Sequence, residues 1–167
     1  MSCKSLETIQ FPKNIKGIDN FAFSGCNFKN INIPPSCEYL GYGAFYNNKN
    51  LQEMIISDGE KPLSMIPQIG DEYYSFDIST PKYVYIGRKI KQEEVEGKKL
   101  SHTAFLYTQT IEIGEGITEI ENGAFQFSYS LQTVILPESL ITIGEDAFYY
   151  CKKLTSVTLP LSLQEIG

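Results

Sequence analysis

A pair of residues, Ala-Phe, recurs at 22–23, 44–45, 104–105, 124–125 and 147–148. The alanines are separated by 22, 60, 20 and 23 residues. A near-constant period in the twenties means that one small unit is copied along the chain, and copies of that size cannot each enclose a core. Aligning on the pair lines up the rest. Two residues and a small polar residue follow it, then a strand-like run ending in Pro or Gly. Seven runs fit: Leu6-x-x-Ile9-x-Phe11, Phe28-x-x-Ile31-x-Ile33, Leu51-x-x-Met54-x-Ile56, Val84-x-Ile86, Ile111-x-Ile113, Leu131-x-x-Val134-x-Leu136 and Leu154-x-x-Val157-x-Leu159. A shorter apolar signature follows in five copies: Ile15-x-x-Ile18, Cys37-x-x-Leu40, Ile117-x-x-Ile120, Leu140-x-x-Ile143 and Leu163-x-x-Ile166.

The alternation V-x-L is the two-residue period of a strand with one buried face. Stacked in parallel, each copy covers the next and their backbones pair. The expected fold is therefore a solenoid, mainly β, of parallel stacked short strands with turns or short helical turns on the opposite side. Seven strands make six steps of about 4.8 Å, a stack about 29 Å long. Pro or Gly after each run ends the strand where the chain turns. In the turn, Ala permits close backbone approach and Phe points inward. Phe23, Phe45, Phe105, Phe125 and Phe148 should form an internal aromatic column. Three residues past each Phe stands Cys26, Asn48, Thr108, Ser128 or Cys151, and Cys3 occupies the same slot. These small polar side chains are expected to satisfy backbone groups where the coil turns.

Residues 1–56 and 82–167 resemble the BspA-like leucine-rich repeat family of bacterial surface proteins. The resemblance rests above all on "NGAFQFSYSLQTVILPESLITIGEDAFYYCKKLTSVTLPLSLQEIG" (122–167). It departs from the commonest leucine-rich pattern, in which the Asn or Cys follows the strand. "YVYIGRKI" (83–90) resembles the atypical middle repeat of such proteins. The resemblance implies display at the cell surface or outside the cell, and adhesin-like binding to host or matrix proteins.

The whole chain, 1–167, reads as one solenoid domain cut from a longer repeat protein, with irregular insertions at about 57–81 and 91–99. In the first, Leu63-x-x-Ile66 looks like a degenerate second signature. The second, rich in Lys and Glu, reads as a solvated loop. Neither end carries the polar terminal repeat that a solenoid needs, so weak self-association through uncapped ends is expected.

Chemistry-bearing patterns are scarce. His102 is the lone histidine, and it falls in the turn slot shared by Asn20, Tyr42, Asn122 and Glu145. One turn histidine cannot build a catalytic triad. The four cysteines make no C-x-x-C pair, so neither a zinc site nor another cofactor is read from them. Cys3 and Cys26 would lie in adjacent coils. A disulfide is geometrically conceivable there, and free thiols used as packing groups are the plainer account. The net charge of −6 argues against nucleic acid, and no apolar run suits a membrane span.

With the apolar residues of each strand inward, two columns face out. One is Thr8, Asn30, Glu53, Tyr83, Thr110, Thr133 and Ser156. The other is Gln10, Asn32, Ile55, Tyr85, Glu112, Ile135 and Thr158. Aromatic and aliphatic anchors with polar neighbours suit protein recognition. The candidate partner-binding residues are thus Ile55, Tyr83, Tyr85 and Ile135, with Glu53 and Glu112 beside them and Tyr73 and Tyr74 of the first insertion as a candidate extension of the patch. The function expected is a non-catalytic interaction module. The alternative is a structural spacer or stalk whose tyrosines only shield their strand neighbours.

Overall fold

The computed structural model describes residues 3–65, 81–92 and 105–167. Among them the chain winds as a parallel solenoid. Its long side is a five-stranded sheet in the order β10-β8-β6-β4-β2, built from β2 (Asn30–Ile33), β4 (Glu53–Ile56), β6 (Tyr83–Ile86), β8 (Thr110–Ile113) and β10 (Thr133–Ile135). The strands pair in parallel, with Ile31, Met54, Val84, Ile111 and Val134 in one register row. That row is buried throughout, as the alternation requires.

The second apolar signature proves to be a second strand side. It forms two short parallel sheets. One is β1 (Gly17–Ile18), β3 (Tyr39–Leu40), β5 (Leu63–Met65) and β7 (Ile90–Gln92); the other is β9 (Glu119–Ile120), β11 (Thr142–Ile143) and β12 (Glu165–Ile166). Leu63 joins the core, as its degenerate signature suggested, while Ile66 lies outside the described residues. Strand β7 runs into a stretch expected to be loop, since its last two residues belong to the 91–99 segment.

The outermost runs differ from expectation. Residues 6–11 and 154–159 form no strands, so the long sheet has five members and spans about 19 Å by strand spacing. The reason lies in burial. Leu6, Ile9, Phe11, Leu154 and Val157 are only half-buried, and Leu159 is exposed. These coils bury less apolar surface than the inner ones, which weakens what would pin their register.

The turn side carries the Ala-Phe pairs. Phe45, Phe105 and Phe125 are buried, and Phe23 and Phe148 are half-buried. Among the described residues two stacks are seen, and the turn between Phe45 and Phe105 lies outside them. Phe23 lies flat on Phe45 at 5.8 Å, with Phe11 and Phe28 edge-on. Phe105, Phe125 and Phe148 follow at 6.2 and 5.5 Å. No ring contact joins Phe45 to Phe105 among the described residues, because the coil between them carries no Ala-Phe pair.

Successive turns are laced together by backbone. Phe23 N–H donates to Ala44 O and Phe125 N–H to Ala147 O, both at 2.8 Å. This alternate-residue lacing needs left-handed backbone at two fixed places, one residue before Ala and three after it. The first is Phe21, Gly43, Gly123 or Asp146; the second is Gly25, Asn47, Phe127 or Tyr150, with φ of 54–68° throughout. Glycine fits such a position without strain, whereas an aromatic residue does not.

The polar slot works in part as expected. Asn48 Nδ2 donates to Phe23 O at 2.8 Å and Phe45 O at 2.7 Å. The Cys151 thiol donates to Phe125 O at 3.2 Å. Thr108 Oγ1 and Ser128 Oγ are buried with no partner among the described residues; there the small side chain serves close packing instead. The slot two before Ala, where His102 falls outside the described residues, is not idle: Asn20 Oδ1 accepts from Tyr42 N–H and Asn122 Oδ1 from Glu145 N–H.

Arg88 was unexpected. It sits in the "GRKI" turn and is 1% exposed. Its guanidinium reaches back two coils to donate to Pro34 O at 2.9 Å and Pro35 O at 2.7 Å. Burial pushes its pKa down. It serves carbonyls at a corner where proline supplies no donor.

Candidate functional site

The two outward columns of the long sheet are real rows. Asn30, Glu53, Tyr83, Thr110 and Thr133 stand in one; Asn32, Ile55, Tyr85, Glu112 and Ile135 stand in the next. All six candidate residues fall on these adjacent rows. Thr8, Gln10, Ser156 and Thr158 do not extend them, because their runs form no strands. Tyr73 and Tyr74 lie outside the described residues.

The two tyrosines are held in place. Tyr83 Oη donates to Glu112 Oε2 at 2.7 Å, diagonally across to the next strand. Tyr85 Oη donates to Asp58 Oδ1 at 2.7 Å, where the chain leaves β4. Burial, then the Glu112 bond, pushes the Tyr83 phenol up to about 12. The Asp58 bond, then burial, does the same for Tyr85, also to about 12. Both phenols thus stay protonated donors at neutral pH, with rings half-buried. Ile55 is half-buried beside Tyr85, while Ile135, at the sheet's edge, is 46% exposed. The surface is a flat strip: two pinned rings, two aliphatic side chains and two carboxylates.

A second surface was not anticipated. The residues following four of the five Ala-Phe pairs include an aromatic on the turn side. Phe127 lies 5.7–6.0 Å from Tyr129, Tyr149 and Tyr150, and Tyr149 and Tyr150 are 4.7 Å apart. Lys152 Nζ sits 5.0 Å over the Tyr150 ring and 5.8 Å over that of Tyr129. Phe21 makes similar edge contacts with Tyr42 and Tyr46 in the early coils. The signal was in the text: "AFYN", "AFLY", "AFQF" and "AFYY" each place an aromatic one or two residues past the Phe. Attention to the strand flanks passed over it.

Among the described residues, no strand pairing joins β7 to β9 on the short side. Lys89 bridges the two by side chain instead, its Nζ 2.9 Å from Glu121 Oε1 and 3.5 Å from Glu119 Oε2. Beneath lies an apolar cavity of about 50 Å³ lined by Met65, Ile86, Phe105, Ile120 and Phe125 among others. Among the described residues, no group of three or more His, Cys, Asp or Glu is placed to hold a metal ion, and no helix is long and apolar enough to cross a membrane.

Two solved structures are similar to this chain. One is a leucine rich cell surface protein from Faecalibacterium prausnitzii A2-165, at 26% identity and a TM-score of 0.51, matched over 92% of this chain and 39% of its own. The other is a leucine-rich repeat protein from Bacteroides ovatus ATCC 8483, at 18% identity and a TM-score of 0.43, over 99% of this chain and 63% of that one. The chain thus spans about two fifths of the first protein's length. No curated protein matches it. The model of the BspA type leucine rich repeat region matches residues 1–92 and 81–167, in six copies. Period, parallel coils and this match agree: the chain belongs to the BspA type leucine-rich repeat family, whose solenoids generally serve as protein-binding scaffolds.

Proposed function

We propose that this solenoid is a non-catalytic, adhesin-like module, displayed at the cell surface or secreted, which binds a host or matrix protein through the outward rows of its long sheet. One observation carries the choice of surface. Ile55, Tyr83, Tyr85, Ile135, Glu53 and Glu112 converge on two adjacent rows, with both phenols pinned by carboxylates. Pre-set aromatic rings lose little side-chain freedom on binding, which favours affinity. The location rests on the family and on the cell-surface neighbour.

The turn face supports a second reading of where the partner sits. Phe127 and Tyr150 occupy left-handed positions where Asn or Gly would fit at lower cost. Aromatic side chains held against local strain point to a use for their exposed rings. The spacer reading assigns the tyrosines of both faces to shielding alone. In a pull-down against extracellular matrix and epithelial surface proteins, Tyr83→Ala with Tyr85→Ala should lower capture of the partner at least about tenfold. Loss with Tyr149→Ala and Tyr150→Ala instead moves the site to the turn face. Capture unchanged by both pairs, or none by the parent chain, favours the spacer. The end coil exposes Leu159, Leu161 and Ile166, and weak self-association through it should appear as concentration-dependent size-exclusion.

A further inference from the structure

Cys3 and Cys26 hold the same slot in successive coils. In later coils the side chain in this slot reaches back to the coil before: Asn48 to Phe23 O, Cys151 to Phe125 O. The coil before Cys26 carries Cys3 in this slot, and burial pushes the Cys26 thiol up with the Cys3 backbone and thiol near enough to act on it. The two coils are tied beside this slot, Asn27 N–H donating to Leu6 O at 2.9 Å. Neighbouring coils about 4.8 Å apart fall inside the Cα separations that disulfides span. Cys3 is exposed and Cys26 buried. The other two cysteines are buried and engaged with carbonyls, Cys37 with Tyr39 O and Cys151 with Phe125 O.

We propose that Cys3 and Cys26 are a disulfide-forming pair that locks the first coil onto the second. A low-molecular-weight disulfide such as oxidised glutathione is the oxidant. The Cys3 thiolate attacks one of its sulfurs and releases one glutathione thiolate, leaving a mixed disulfide on Cys3. The Cys26 thiol then gives up its proton and displaces the second glutathione. Two protein thiols become one disulfide, and one disulfide becomes two small thiols. Exposure of Cys3 suits the first step, and the shared slot in adjacent coils suits the second. The bond would lie where residues 6–11 form no strand, so it holds by covalent linkage a coil that the sheet leaves loose.

The test is treatment of the full chain with oxidised glutathione, alkylation of remaining thiols after unfolding, and peptide mapping by mass spectrometry. The expected product is lighter than the parent by two hydrogen atoms, links the peptides holding Cys3 and Cys26, and leaves Cys37 and Cys151 alkylated. Cys26→Ser should instead stop at a glutathione adduct on Cys3. A stable adduct on Cys3 in the parent chain, four alkylated thiols, or a bond to Cys37 or Cys151 would each overturn the pairing. The chemistry is independent of the binding reading and fails or stands without it.

Discussion

The long and short sides of the solenoid are built by the same coils, yet only one of them is continuous. The long sheet runs unbroken from β2 to β10, while the short side divides between β7 and β9. Among the described residues the aromatic stacks of the turn side run from Phe11 to Phe45 and from Phe105 to Phe148. The division coincides with the departures from the repeat period, between the second and third Ala-Phe pairs. What differs is the number of backbone bonds each side places across a coil step. The long side pairs four residues from β4 to β6 and four from β6 to β8, whereas β11 meets β9 and β12 through two residues each. An irregular coil therefore loses the short side first. Between β7 and β9, Lys89 and its two glutamates stand in for a ladder.

The comparison can be broken or sharpened by substitution. The largest effect is expected from Phe125→Ala, which empties a site shared with Phe105 and Phe148; about 3–5 kcal/mol of stability should be lost in urea denaturation. Ile111→Ala, in the middle of the unbroken sheet, should cost about 2–5 kcal/mol. Ile120→Ala, against the cavity beneath Lys89, should cost less, since walls that can close on a vacated site soften the loss. Equal costs for Ile111 and Ile120 would erase the distinction between the sides.

Alkaline titration bears on the long side as well. Both Tyr83 and Tyr85 have folded-state pKa values raised to about 12, against about 10 in an unfolded chain. Their contribution is fully present below pH 10 and is lost as pH rises through 12, so stability should fall across that window. Tyr83→Phe with Tyr85→Phe should flatten the fall, followed by circular dichroism. The smallest effect belongs to Lys89→Ala. Its ion pairs are half-exposed and worth less than about 1 kcal/mol, and the loss should shrink further as salt is added.

How much of this was legible beforehand depends on the physics behind each element. The buried row through Met54, Val84 and Ile111 follows from two-residue alternation, which depends on local residue order alone. The six candidate residues share adjacent rows for the same reason. The left-handed positions were hidden because Phe21, Phe127 and Tyr150 occupy them as well as Gly and Asn, and no residue pattern marks a conformation held by stacking on the next turn. Nothing in the residues around Arg88 singled it out. Its burial depends on the carbonyls of Pro34 and Pro35, more than fifty residues away in sequence. The five-strand count depends on how many neighbours each coil has, which the run of residues 6–11 cannot express by itself.

Hydrogen exchange at three amides tests the continuity of the long sheet most directly. Gly87 N–H bonds to Ile56 O, and Thr110 and Gly114 N–H bond to Lys82 O and Ile86 O across the interruption, at 2.8–2.9 Å. If the long side carries the solenoid through, Thr110 and Gly114 should exchange as slowly as Gly87. Fast exchange at Thr110 and Gly114 beside a protected Gly87 would instead mean two separate stacks, and would contradict a single continuous sheet.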